Sequence, residues 1–322
     1  PELVATLPPD GGAAYPDGTR ERDRAIMRLL REPGNAPPVE WVQLVSAGAQ
    51  GVLRMLVMAD VVRLGATDPI RVNLSHPAAQ QFADEYDCAI VTPKINDLIW
   101  DQAPAKISYS NIVPYPADET AAMVEHSRRI DAKLPEGLPE NVLRANLGKT
   151  YVNSNLLWQP GNEDRACIYG WHTTAPAVPR PDPGPRDAVT ADGERVIQPV
   201  SVKHWAHFVD YSQTVRFVRR EAELADDYTT KVVDLGELAQ DPKWCEYISA
   251  EGPVILRHPM VTCPTPEAFA GGGAPPVACP VPSGGKLPPP TPPSSAAEFP
   301  TWPIIVGGVA LAVGVAYFAT KG

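Results

Sequence analysis

The last apolar stretch of this 322-residue chain limits its architecture more than any other feature. Residues 304–320 carry no charged side chain, and a helix beginning at about Trp302 spans roughly 27 Å, close to the ~30 Å hydrocarbon core of a bilayer. Trp302 and Tyr317 stand near the two ends, as interfacial aromatic residues do. The sequence predicts one C-terminal transmembrane helix over residues 303–320, with a buried core helix as the alternative.

Small residues recur along this predicted helix at Gly308, Ala312 and Ala316, four positions apart. This spacing lets two membrane helices approach closely, which favours self-association. Glycine and alanine are common in membrane helices generally, so an unpaired anchor is the alternative.

The residues before the predicted span form a linker, 263–302, that contains the string GGGAPPVACPVPSGGKLPPPTPPSSAAEFPTWP. This composition leaves too little apolar surface to offset the entropy of ordering. Its proline runs favour polyproline II and its glycines act as joints. We expect a semi-rigid stalk between a globular part and the bilayer.

The N-terminal residues 1–36 are interpreted as an extension without the basic and apolar regions of a secretory signal. A tail-anchored protein is therefore expected, with its bulk cytoplasmic or virion-associated. The five cysteines are scattered without a CxxC pair, which indicates neither a disulfide framework nor a zinc knuckle. The net charge of −10 argues against nucleic acid as a partner.

Residues 37–262 remain for a globular domain, with two subdomains dividing near residue 150 as the alternative. Strand patterns occur at 52–58, 70–74, 88–91, 165–172 and 214–218. Helices are predicted after Ser75 and Thr92, each followed closely by proline, and over 118–133. We predict an α+β fold with a mainly antiparallel sheet and flanking helices.

Three segments carry a resemblance: AQQFADEYDCAIVTPKINDLIW from Ala79, IYGWH from Ile168, and the stretch from His204 to DYS at Asp210. In order and spacing they resemble a family of bacterial and phage-associated proteins with AQ…AD…C.LPT, IYGWH and H…DYSHG…RLV segments. The resemblance covers roughly residues 50 to 220 and implies a shared fold rather than an activity. Gln213 and Lys149 stand where that family has histidine.

The first candidate site is a metal centre formed by His172, His204 and Asp210, because imidazole and carboxylate groups are the usual zinc ligands. Zinc is the cofactor that this set would hold. A hydrogen-bonded structural network is the alternative.

A second candidate is a nucleophilic Cys88 with His126, His172 or His204 as its base and Asp210 as a further catalytic group. A buried core cysteine is the alternative.

The third candidate is a groove for sugar or peptide lined by Tyr169, Trp171, Trp205 and Tyr211. The same aromatic residues would also suit the core of a small sheet.

Two function classes follow from these observations. One is a membrane-anchored structural or accessory protein of a virion or injection-type assembly, whose globular domain docks on a protein partner. The other is a peptidoglycan hydrolase, dependent on metal or cysteine and tethered by the same stalk. The family histidines replaced at Gln213 and Lys149 favour the first.

Overall fold

A computed structural model describes residues 2–8, 16–113, 119–173, 195–226 and 229–261. All of them belong to one unit, Pro1–Leu287, so the described chain is not divided near residue 150. The predicted stalk, the predicted transmembrane helix and its small residues lie outside the described ranges. Within these ranges, no helix combines the length and the apolar character that crossing a membrane requires.

Short helices and strands alternate along the chain. The helices are α1 (Glu2–Ala5), α2 (Pro16–Arg31), α3 (His76–Glu85), α4 (Pro93–Gln102), α5 (Glu119–Asp131) and α6 (Leu235–Gln240), with 3₁₀ turns at Asn155–Trp158 and Cys245–Tyr247. The strands are β1 (Trp41–Gly48), β2 (Gly51–Met58), β3 (Arg63–Leu64), β4 (Ile70–Arg71), β5 (Cys88–Ile90), β6 (Ala105–Lys106), β7 (Arg144–Ala145), β8 (Lys149–Tyr151), β9 (Arg165–Thr173), β10 (Arg195–Trp205), β11 (Gln213–Thr214), β12 (Phe217–Ala225) and β13 (Thr230–Asp234).

The first sheet has the strand order β1-β2-β12-β13, and β5 pairs with another part of β12. Strands β1 and β2 form a hairpin in which Gly48 lies opposite Gly51. At Gly51 φ is 147°, and a Cβ would lie 2.2 Å from the Ala225 carbonyl oxygen. Only glycine fits where this turn meets the end of β12.

The second sheet has the order β10-β9-β8-β11, antiparallel except for the parallel pair β8 and β11. Both sheets contribute to one apolar cluster, in which Leu53 and Val57 of β2 and Tyr169 of β9 are at most 1 % exposed. Helix α4 adds Ile99 and Trp100 to the same cluster. The predicted α+β fold with mainly antiparallel sheets is confirmed.

Most of the predicted elements are present, with local differences; the strand predicted at 70–74, for example, is only Ile70–Arg71. Thr92 caps α4 as predicted, because its hydroxyl accepts from the Ile95 N–H at 3.1 Å. Ser75 precedes α3 but makes no side-chain cap; its hydroxyl donates to Asp23 instead. The predicted strand 214–218 is interrupted, since β11 ends at Thr214 and β12 begins at Phe217.

Helix α2 is part of the globular unit, although the sequence interpretation assigned residues 1–36 to an extension. Ile26 is fully buried in a cluster that also contains Ile70 and Ile90. Arg22 donates to the side-chain oxygen of Asn73 at 2.8 Å, and Asp23 accepts from both the backbone and the hydroxyl of Ser75. Apolar burial and buried polar contacts together fix α2 against α3.

A buried carboxylate, Asp60, lies just after β2 and is surrounded by arginines. Arg71 binds both of its oxygens at 2.9 and 2.8 Å. Arg144 and Arg63 approach the second oxygen at 3.7 and 4.0 Å. Burial disfavours ionisation of Asp60, but Arg71, then Arg63 and Arg216, outweigh it and lower its pKa. The cluster therefore joins four separate segments around Asp60, and Asp131 and Glu140 add ion pairs to Arg71 and Arg63.

Asp23 generates a prediction about pH. Burial raises its pKa from 3.8 to about 6, against the opposing effect of the Ser75 hydrogen bonds. A carboxyl whose pKa is raised on folding adds stability at low pH, and this stability is lost as the pH rises through the folded pKa. Relative to Asp23→Asn, the wild-type free energy of unfolding should fall by about 3 kcal/mol between about pH 3 and pH 7.

Urea unfolding of both proteins across this pH range provides the measurement. Asp68→Asn is the control, because its hydrogen bonds with Arg128 lower the Asp68 pKa and give a pH dependence of opposite sign. Parallel stability curves for wild type and Asp23→Asn would contradict the prediction.

Candidate functional site

The IYGWH segment forms the C-terminal half of β9 and contains unusual backbone. Gly170 has φ of 130° and Trp171 has φ of 55°. A left-handed conformation is rare for a bulky aromatic residue and costs conformational energy, and such residues cluster at functional sites. Asn146, with φ of 71°, belongs to the same neighbourhood because its side-chain amide donates to the His172 carbonyl at 2.9 Å.

His172 is buried and pairs with an acidic residue of α4. Its Nε2 lies 2.8 Å from Asp97 Oδ1, and the Tyr169 hydroxyl donates to the same oxygen at 2.6 Å. Trp100 stacks on the imidazole with 5.2 Å between ring centroids. Because an ionised carboxylate only accepts, this arrangement places a proton on His172 Nε2. Burial, with Asp97 next, raises the Tyr169 pKa, so Tyr169 acts as a neutral donor.

A small cavity lies behind Trp171, and Asn146, His172 and Arg216 also line it. The space open to the centre of a water molecule is about 10 Å³. Three buried polar atoms of lining residues have no hydrogen-bond partner among the described residues: Trp171 Nε1, Asn146 Oδ1 and Arg216 Nη1. Burial, opposed by Asp60, lowers the pKa of Arg216 to about 10, so its guanidinium is still a cation at neutral pH.

Lys149 and Asp210 form a short ion pair beside this cavity. The other oxygen of Asp210 accepts from the backbone and the hydroxyl of Ser212 at 2.7 and 2.5 Å. The Lys149 ammonium also lies 5.2 Å from the centroid of the Trp171 ring. Gln213 pairs with Lys149 across β11 and β8, and its side-chain oxygen accepts from the Tyr151 hydroxyl at 2.5 Å. Lys149 and Gln213, the two positions where the sequence analysis expected histidine, are therefore neighbours.

The predicted metal ligands have other partners in the structure. His172 binds Asp97, whereas Asp210 binds Lys149 and Ser212. His204 is half-buried on β10 and stacks on Phe208 at 4.3 Å. Within the described part of the chain, no three His, Cys, Asp or Glu side chains are grouped as metal ligands, so His172, His204 and Asp210 do not form such a group here.

Cys88 lies in β5, and its thiol donates to the Tyr86 carbonyl at 3.2 Å. Burial raises its pKa to about 12, the opposite of what activates a nucleophilic thiol. His126 is also buried, with Nε2 at 3.0 Å from the Ser110 carbonyl, and burial lowers its pKa to about 4. Neither residue is prepared for the roles that the sequence suggested.

The four aromatic residues predicted to line a groove occupy different environments. Tyr169 is fully buried, and Tyr211 is buried with its hydroxyl accepting from the Ile112 N–H at 2.7 Å. Trp171 covers the cavity, whereas Trp205 is 57 % exposed and stacks on Arg165. These contacts do not place the four rings along one groove.

Three residues of this site were not predicted from the sequence: Asp97, Asn146 and Arg216. Asp97 belongs to the segment that carries the resemblance, so that position was a usable signal. Arg216 begins the string RFV, which resembles the RLV of the third segment, so that position was also a usable signal. Asn146 stands outside the quoted segments, and only the fold brings it to the cavity.

Comparisons of the chain with protein-family models, with curated proteins and with solved structures gave no match.

Cys88 yields a direct chemical test. Because a thiol with a pKa of about 12 carries almost no thiolate near pH 8, we expect iodoacetamide to modify Cys88 of the folded protein more than about tenfold slower than in the unfolded chain. Peptide mass mapping of Cys88 after timed quenching measures both rates. Rapid modification of the folded protein at this position would restore the nucleophile hypothesis.

Proposed function

We propose that this chain is a membrane-anchored structural or accessory protein of a virion or injection-type assembly. Its globular unit docks on a protein partner, and the proline-rich stalk links that unit to the bilayer. The observation that carries the docking role is the exposed Trp205 stacked on the partly buried Arg165, with the exposed Met260 linked to Arg165 through His258; we call these three residues the docking patch.

The docking patch is built by the pairing of β9 with β10. Arg165 lies directly opposite Trp205 in the ladder, and its guanidinium stands 3.8 Å from the centroid of the indole ring. The stacked pair is held in one arrangement while Trp205 remains 57 % exposed. Tryptophan and arginine are the side chains most often found at the energetic centre of protein interfaces.

Met260 extends this surface from the other end of the chain. It is 42 % exposed and follows His258, whose Nε2 binds the Arg165 carbonyl at 2.7 Å. The His258 Nδ1 accepts from the Met260 N–H at 3.2 Å, which fixes the position of this segment. Methionine, like tryptophan and arginine, is enriched at interfaces. A patch held rigid before binding loses less entropy when a partner docks.

The buried polar residues fit a supporting role in this proposal. The Asp97, Tyr169 and His172 contacts tie α4 to β9, and the Lys149–Asp210 pair ties β8 to the turn before β11. Each pair joins segments far apart in sequence. They hold the second sheet in the shape that presents the docking patch.

The alternative is a membrane-tethered peptidoglycan hydrolase, and the Asp97–His172 pair is the observation that favours it. A carboxylate that orients an imidazole is the arrangement of a general base. In that case the base is His172 and not His126 or His204. Release of soluble fragments from purified peptidoglycan by the wild-type protein, lost in His172→Ala, would support the hydrolase over the docking protein.

Removal of the residues after Thr301 tests the membrane attachment. Since residues 304–320 contain no charge, we expect the full chain to remain in carbonate-washed membranes and the truncated chain to stay in the supernatant. The melting temperature of the globular unit should agree between the two within about 2 °C. A truncated protein that still sediments with membranes would contradict the anchor.

The docking patch is tested by Trp205→Ala, with Val232→Ala as the matched control, because Val232 is 65 % exposed on β13. A photo-crosslinking residue at position 205 first identifies the partner, which is then purified. We expect Trp205→Ala to weaken its binding by about tenfold or more, as loss of an interface centre does, and Val232→Ala to leave it unchanged. Equal affinities of both variants and wild type would refute the patch.

A further inference from the structure

We propose that one internal water molecule occupies the cavity behind Trp171 and bridges Trp171 Nε1, Asn146 Oδ1 and Arg216 Nη1. These three atoms are buried and have no hydrogen-bond partner among the described residues. The three residues line the same small cavity. Buried polar groups in folded proteins are nearly always paired, either with protein or with ordered water.

The chemistry of the three atoms selects water over an ion. The Asn146 amide nitrogen donates to the carbonyls of Ile107 and His172 at 2.8 and 2.9 Å, which fixes the free Oδ1 as an acceptor. Trp171 Nε1 and Arg216 Nη1 can only donate. A water molecule accepts from two donors and donates to one acceptor. A halide cannot donate to Asn146, and a cation would face the charge of Arg216.

The size of the cavity also favours a single water molecule. Its volume of about 10 Å³ matches the minimum that one water requires. Larger anions such as phosphate or a carboxylate do not fit unless Trp171 moves.

The proposed water gives Trp171 a role in the fold. It anchors the indole at a position where the backbone is left-handed, and through Asn146 it is linked to the carbonyl of His172. Trp171 is thereby held over the cavity, beneath the Lys149 ammonium. This role is independent of the proposed docking function.

Water–protein cross-relaxation in the full chain, solubilised in detergent, tests the proposal. We expect the Trp171 indole N–H to show a cross-peak to water. The sign of its nuclear Overhauser effect should be that of a water molecule with a long residence time. The exposed indole of Trp205 is the internal control and should lack that sign. A Trp171 signal like that of Trp205 would overturn the proposal.

A second measurement uses the isostere β-(3-benzothienyl)alanine, which keeps the shape of tryptophan but replaces the N–H by sulfur. If water bridges Trp171, this replacement at position 171 should lower the melting temperature by about 2–4 °C, since the water loses a partner. If the N–H is unpaired, its removal should raise the melting temperature, which would overturn the proposal. The same replacement at Trp205 is the control and should change the melting temperature little.

A bromide soak that places an anomalous peak in the cavity would likewise refute water as the occupant.

Discussion

The charge of Asp60 is the constraint on which most of this structure depends. It follows β2, and the arginines around it come from β3, β4, β7 and the residue before β12. Removing one partner of a buried ion pair costs about 3–5 kcal/mol, because the remaining charge has no compensation. Without Asp60, Arg216 would lose the carboxylate that favours its charged form, while Arg71, Arg63 and Arg144 would keep Asp131 and Glu140 as acidic partners. The cluster therefore makes the position of each segment depend on the others.

This constraint reaches the candidate site through Arg216. Asp60 stabilises the charged form of Arg216, which burial disfavours, and so allows a cation to line the cavity behind Trp171. The interruption between β11 and β12 lies next to this cluster. Val215 and Arg216, the two residues between these strands, are both buried, and Arg216 lies close enough to Asp60 to lower its pKa.

The histidines show that a residue type alone does not predict a catalytic role once its side chain is buried. Burial lowers the pKa of His126 and of His258 to about 4 and lowers that of His204. His126 and His258 are hydrogen-bonded to backbone carbonyls, which is the usual role of an imidazole inside a folded domain. The exposed Trp205 and Met260 have no comparable role in the core, and this contrast is the reason to place recognition on the surface.

Local chemistry in the sequence determined much of the secondary structure. A short apolar run predicted β2, a strand-like string predicted β9, and Thr92 followed by proline predicted the start of α4, because these signals act within a few residues. The charge-free segment 304–320 and the proline-rich linker are likewise properties of composition.

The tertiary structure decided which side chains meet. Asp97 reaches His172 across 75 positions and Arg22 reaches Asn73 across 51, and no local pattern encodes such pairs. Burial then decided their chemistry, since the cost of removing a charge from water depends on the surrounding fold and not on the residue alone.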